Sequence, residues 1–173
     1  MLSKCGESRI KWVSQESLHI TLKFLGDIDP SLTNKGLEII AKSALHIPPF
    51  SLYVSHITAL PSEKMPRIIY ATVDEDLNLL HTLQKRIDLE MTLLGFPSEK
   101  RRFKAHITLG HIRDRKISDL SPFLRRSVSS EQVNNETLWK IQSVSLMNST
   151  HVDNNQKYQK IAQLALKTSL SSD

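Results

Sequence analysis

The sequence predicts an α+β protein with mostly antiparallel strand pairing, and three observations carry that prediction. Segments rich in β-formers come as neighbours joined by turns rather than at regular strand–helix–strand intervals. Two stretches of helical periodicity interrupt them. The string His-Ile-Thr-Leu stands at His19 and again at His106, half a chain apart, each time followed by a helical stretch or by further strands, as in a weak internal repeat.

The elements follow in chain order. Leu18–Leu25 alternates, with His19, Thr21 and Lys23 on one parity and Ile20, Leu22 and Phe24 on the other, and Gly26-Asp27 ends it. The stretch "SLTNKGLEIIAKSAL" spaces Leu32, Leu37, Ile40, Ala41 and Ala44 for one helix face, with Ser31 as N-cap after Pro30. Phe50–Leu60 reads as a strand, "PSEKMP" as a turn and Arg67–Val73 as the returning strand of a hairpin. Asp76 is placed to cap a helix whose stripe is Leu80, Leu83, Ile87, Met91 and Leu94, with Gly95 as its stop. Phe103–Ile112 is a further strand, and a short helix is expected over Asp119–Arg126, followed by the polar connection "SSEQVNNE". Leu138–Ser149 and Lys157–Lys167 close the chain as two strands joined by the hairpin loop "THVDNNQ".

The 173 residues suffice for one domain with a real core, and no linker or low-complexity tract divides them. The whole chain, 1–173, is therefore expected to be a single domain. No apolar run approaches the roughly 20 residues needed to cross a bilayer, and "MLSKCGESRIKW" lacks the apolar core of a secretory signal. A single cysteine, Cys5, allows no intrachain disulfide and suits a reducing compartment, so a cytoplasmic location is expected. The formal charge is +5, and cations gather at Lys100, Arg101, Arg102 and Lys104 and again in "RDRK", on both sides of the second His-Ile-Thr-Leu. Such runs are usually solvated loops, but their placement also suits a phosphate-bearing partner.

On a strand, residues i and i+2 share a face. His19 with Thr21, and His106 with Thr108, would then each present an imidazole and a hydroxyl, anchored by Ile20 and Leu22 or by Ile107 and Leu109. Two imidazoles titrating near neutral pH can divide the work of general base and general acid, and hydroxyls can hydrogen-bond phosphate oxygens. In-line displacement at phosphorus needs base and acid from opposite sides, which two separate motifs can supply. A third triplet, His56 to Thr58, has Ile57 and Ala59 as anchors but no partner half a chain away, and it reads as an ordinary hairpin-strand residue. The chain lacks His-Glu-x-x-His, a cysteine cluster, a nucleophile elbow and a glycine-rich phosphate loop. Metal-free acid–base chemistry with no cofactor is the expectation.

"LHITLKFLGDID", "LPSEKMPRIIYATV", "GFPSEKRRFKAHITLG" and "SVSLMNSTHVDNNQKYQKIAQLAL" occur in the order found in the 2H phosphoesterase superfamily, and the chain resembles its RNA 2′,3′-cyclic phosphodiesterase (2′-5′ RNA ligase-like) branch over Trp12 to Leu166. The resemblance implies a bilobal fold, with two antiparallel sheets around a central cleft and helices outside. It implies hydrolysis of an RNA 2′,3′-cyclic phosphodiester to a 2′-phosphomonoester. His19 would be the proton donor, His106 the proton acceptor, and Thr21 and Thr108 the phosphate ligands.

Three departures shape the remaining expectations. Family members carry a strand and helix ahead of the first motif, whereas here Met1 to Leu18 shows no clear apolar strand, so the N-terminal strand is expected to be missing and the N-terminus truncated. Ala105 stands where the family often has Pro. His111 stands where an Arg is common, leaving His111 itself or Arg113 to bind substrate. The implied partner is RNA with a 2′,3′-cyclic phosphate end, acted on by a monomer, with no membrane and no protein partner. Alternatives are the same fold acting on 2′-5′ linked oligonucleotides or small nucleoside cyclic phosphates, and a non-catalytic RNA-binding module.

Overall fold

The computed structural model describes residues 10–73, 78–113, 137–152 and 155–167. The chain divides into two compact units, each assembled from three separate stretches. The first comprises Met1–Thr21, Tyr53–Asp74 and Lys104–Trp139, and the second Leu22–Leu52, Glu75–Phe103 and Lys140–Asp173. Pairing is antiparallel throughout the recorded ladders, as the sequence predicts. Asp76, the helix expected over Asp119–Arg126 and the polar connection after it lie outside the described residues.

A five-stranded sheet is ordered β1-β4-β3-β2-β5, with β1 at Ile10–Trp12, β2 at Phe50–Leu60, β3 at Ile68–Val73, β4 at His106–Ile112 and β5 at Thr137–Ile141. The hairpin of β2 and β3 forms as expected, and the turn between them is closed by the Arg67 N–H donating to the Leu60 carbonyl at 2.6 Å. On the inner face of the first unit, Ala59 and Ile69 are buried and gather Ile10, Ile57, Leu109 and Ile112 around them. Ile57 and Ala59 therefore do anchor the third triplet.

A three-residue strand does stand ahead of the first motif, where the sequence shows no clear apolar strand. β1 is only three residues long and pairs with β4 as Ile10↔Ile112, Lys11↔His111 and Trp12↔Gly110. It escapes notice in the sequence because "IKW" is too short to show alternation. Gly110 is what lets it lie so close. A Cβ there would sit 3.1 Å from Ile10 Cγ2, 3.1 Å from Trp12 Cε3 and 3.3 Å from the Lys11 carbonyl.

In the second unit, helix α1 (Thr33–Ala44) and helix α2 (Asn78–Leu93) pack with the hairpin of β6 (Ser143–Val152) and β7 (Asn155–Ala165). Their shared core holds Ile40, Ala44, Ile47, Leu83, Ile87, Met91, Val144, Leu146 and Leu166. The stripe read for α2 is buried at Leu80, Leu83, Ile87 and Met91. Of the stripe read for α1, Ile40 and Ala44 are buried but Ala41 is exposed, and Gly36 and Ser43 are buried in addition, because the helix is turned slightly from the face its apolar letters mark. Gly95, at φ +91°, ends α2, and the Phe96 N–H reaches back to the Met91 carbonyl at 3.1 Å while the Phe96 ring joins the same core. Asp29, not Ser31, supplies the cap ahead of α1: its carboxylate accepts from the Ser31 N–H at 2.8 Å and opens the 3-10 turn Pro30–Leu32. That hydrogen bond holds the Asp29 carboxyl below the usual carboxylate range.

The closing strand expected over Leu138–Ser149 is two strands, parted at Gln142. β5 joins the five-stranded sheet and β6 the hairpin, and the Gln142 carbonyl accepts from the Leu166 N–H at 2.8 Å. Composition is continuous across the break, so periodicity alone does not mark it.

Lys23 is nearly buried in the second unit, with its ammonium 2.5 Å from Asp88 Oδ1 and 2.7 Å from the Pro97 carbonyl. Burial pushes the Asp88 carboxyl up, but hydrogen bonds from Lys23, the Glu99 N–H and Ser98 outweigh it and hold the group below its ordinary value. A depressed folded-state pKa gives stability that is complete above the unfolded value and fades as pH falls through the folded one.

Gly110→Ala is expected to cost about 1–3 kcal/mol in urea denaturation, because β1 must give way to the added methyl; an unchanged midpoint would show that β1 does not bear on β4. Asp88→Ala strands a buried ammonium and is expected to cost about 3 kcal/mol at neutral pH. The gap between variant and parent should narrow as the medium is acidified below the carboxylate range, and a gap independent of pH would exclude an ionic origin.

Candidate active site

β3 organises the site, because it pairs with both of the strands that carry histidines, β2 and β4. Ile68, Tyr70 and Thr72 alternate onto one face while Ile69, Ala71 and Val73 are buried on the other. Across β4 the partners are Ile68↔His111, Tyr70↔Thr108 and Thr72↔His106, with a register shift between Ile69 and Tyr70. One step along β3 spans two along β4, so Leu109 is the extra residue of a β-bulge. His106 and Thr108 share a face as strand parity predicts. The bulge adds His111, which simple alternation would turn to the core.

Across β2 the partners are Thr58↔Tyr70 and Leu60↔Ile68, with a second register shift between Val54 and Ile57. Continuing one step from Ile57↔Ala71, ahead of that shift, His56 comes opposite Thr72. Its N–H donates to Thr72 Oγ1 at 3.2 Å, and its Nδ1 lies 3.0 Å from the same oxygen. Thr58 Oγ1 donates to Glu63 Oε1 at 3.2 Å. The open face therefore carries His56, Thr58, Tyr70, Thr72, His106, Thr108 and His111. Tyr70 packs edge-to-face on His106, ring centroids 5.4 Å apart at 77°. Tyr70 and Thr72 escape the sequence reading, and the period of "RIIYATV" beside a histidine-bearing partner strand is the signal for them.

The first motif is not a ladder strand, which corrects the strand expected over Leu18–Leu25. β1 brings the chain along β4, the Val13 N–H donates to the Leu109 carbonyl at 2.8 Å, and a 3-10 turn at Gln15–Ser17 delivers His19. His19 and Thr21 belong to the same unit as β4, and both are half-buried. Leu22 and Leu25 pack on the core of the second unit, and Lys23 is engaged there with Asp88 rather than beside Thr21.

The two motif histidines share one local device. His19 Nδ1 lies 2.7 Å from the Ser17 carbonyl and His106 Nδ1 lies 2.8 Å from the Lys104 carbonyl. A carbonyl only accepts, so each Nδ1 carries the hydrogen and donates it two residues back. Each ring is thereby oriented and tautomerically fixed, and proton exchange falls to Nε2.

Burial pulls the His111 pKa down, and the charge of Lys11 on the paired strand adds to it, so this imidazole favours its neutral form. His111 thus offers this face a neutral donor and acceptor. Arg113 is exposed just past the end of β4. Lys100, Arg101, Arg102 and Lys104 are exposed in the approach to β4. Among the described residues, no three His, Cys, Asp or Glu side chains group as a metal site would require, and no helix is long and apolar enough to cross a membrane.

Comparison with known proteins agrees with this architecture. The chain is 30% identical over 155 residues to an RNA 2′,3′-cyclic phosphodiesterase of Geobacillus stearothermophilus, covering 90% of this chain and 47% of that protein. It is 28% identical over 144 residues to the protein of that name from Aquifex aeolicus, covering 81% and 73%. Against the one from Methanothermobacter thermautotrophicus it is 26% identical over 110 residues, covering 64% and 59%. The chain thus spans about half to three quarters of the length of these relatives. In fold it is similar to TT0787 of Thermus thermophilus, with a TM-score of 0.72 at 20% identity over 92% of this chain and 84% of that one. It is also similar to E. coli LigT complexed with 3′-AMP, with a TM-score of 0.66 at 17% identity over 90% and 80%. The model of the family described as LigT like Phosphoesterase matches residues 1–70 and 72–158, and the chain belongs to that family, within the 2H phosphoesterases.

Proposed function

We propose that this chain hydrolyses the 2′,3′-cyclic phosphodiester at an RNA end to a 2′-phosphomonoester, using two histidines and no metal. The observation that carries the reading is the matched pair of pinned imidazoles, each with Nδ1–H committed to the carbonyl two residues back. Names shared by the relatives supply the substrate class, and the exposed cations before β4 suit an anionic polymer.

In this reading His106 begins neutral and its Nε2 takes a proton from water as the oxygen attacks phosphorus. His19 begins protonated and gives its Nε2 proton to the 3′ oxygen as the P–O3′ bond breaks. The 2′ oxygen keeps the phosphate. The histidines finish in exchanged protonation states, which solvent resets. Thr21 and Thr108 hydrogen-bond the non-bridging oxygens, and Tyr70, against His106, keeps that ring from turning. His111 adds a neutral hydrogen bond on the same face, and Arg113 meets the substrate beyond the end of β4.

The test is turnover of an RNA ending in a 2′,3′-cyclic phosphate. His19→Ala and His106→Ala are each expected to lower kcat about a thousandfold, and EDTA to leave the rate of the parent unchanged. The rate should peak with pH, because one histidine must be charged while the other is neutral. Activity that survives both substitutions, or that chelation abolishes, would overturn the assignment.

A further inference from the structure

The third His-Ile-Thr triplet is left over from the two-histidine reaction, yet the sheet brings it to the same face. His56 lies one strand beyond Thr72, and Thr72 is the cross-strand partner of His106. Two strand spacings separate His56 from the β4 line, about 10 Å. That is too far to share a phosphate with His106 and near enough to meet the next group along a bound polymer.

His56 is also built to hold still. Thr72 Oγ1 contacts three atoms of this one residue: it accepts from the backbone N–H, donates to the carbonyl at 3.2 Å, and lies 3.0 Å from Nδ1. Ser55 Oγ stands a further 3.2 Å from Nδ1. These contacts engage Nδ1 and the backbone of an exposed residue, and Nε2 has no partner among the described residues. The neighbouring row differs. Thr58 Oγ1 donates a hydrogen bond to Glu63 Oε1, and that carboxylate would repel an anion. Along β2, the anion-compatible position is therefore His56.

An RNA that ends in a cyclic phosphate has one covalent neighbour, on the 5′ side. We infer that His56, held by Thr72, binds the phosphodiester joining the terminal nucleotide to that neighbour, so that the site favours an RNA end over a free nucleoside cyclic phosphate. The inference rests on the cyclic-phosphate reading above. His56 is a specificity residue in it and takes no part in bond breaking.

Steady-state kinetics on two substrates test it: a nucleoside 2′,3′-cyclic phosphate, and a dinucleotide whose 3′ end is that same group. His56→Ala is expected to raise KM for the dinucleotide about tenfold, the loss of one hydrogen bond to a charged group, with kcat within a factor of about two and both constants for the mononucleotide similarly unmoved. Thr72→Val should move KM in the same direction by less, and Thr72→Ser should restore it. A variant that impairs both substrates equally, or neither, overturns the subsite while leaving the reaction intact. If the parent protein cleaves neither substrate, the reading of the reaction falls, and the subsite falls with it.

Discussion

The register of β3 against β4 is the constraint on which the rest of the first unit depends. Backbone hydrogen bonds decide which side chains share a face, and a slip of one residue would exchange the whole set. Here the ladder contains one extra residue, Leu109, and that irregularity selects the composition of the open face. Ahead of the bulge, His106 and Thr108 point outward while Ile107 is buried. Past it, His111 points outward and Ile112 joins the inner cluster. A regular strand would have left one imidazole fewer on the face, with the hydrogen of Gly110 in its place. The bulge is stabilised from both sides, since the carbonyl of Leu109 accepts from Val13 and the Ile112 N–H donates to the Arg67 carbonyl at 2.9 Å.

Ring orientation is a separate matter from position, and it is settled locally. Both motif histidines use the carbonyl two residues back, although only one of them sits on a ladder strand. For His106 the relevant carbonyl belongs to Lys104, just before β4 begins. For His19 it belongs to Ser17, the last residue of a 3-10 turn. Different backbone contexts thus reach one tautomer. This makes the pair a stronger sign of paired chemistry than the repeated letters, because a repeated tetrapeptide could equally serve two packing roles.

Much of this was legible in the sequence. The hairpin bounds of β2, the stripe of α2, the stop at Gly95 and the anchoring roles of Ile57, Ala59 and Ile107 all follow from periodicity and turn chemistry, which are local properties. What could not be read depends on a partner strand. The bulge at Leu109 is invisible without the register of β3, so His111 could not be assigned to a face, and nothing local tells that His56 shares a face with His106. β1 is too short to alternate, and its place is set by the missing side chain of Gly110, a contact made across the sheet. The first motif looks like a strand because its residues are β-formers. Its apolar members instead serve the core of the second unit, and Lys23, on the parity of His19 and Thr21, leaves that set for Asp88.

The first motif need not be a strand to be held in place. A ladder holds a residue by backbone pairing on each side. Here the peptide is held at its two ends instead: upstream by the Val13 hydrogen bond to β4, downstream by Leu22 and Leu25 in an apolar core and by Lys23 in a nearly buried ion pair. Thr21 is covalently joined to Leu22, so the cost of displacing that residue includes withdrawing Leu22 from packing and Lys23 from Asp88. Each of those is larger than the loss of a single backbone hydrogen bond. Lys23, which shares the parity of His19 and Thr21, is one of the fastenings of the segment that follows them.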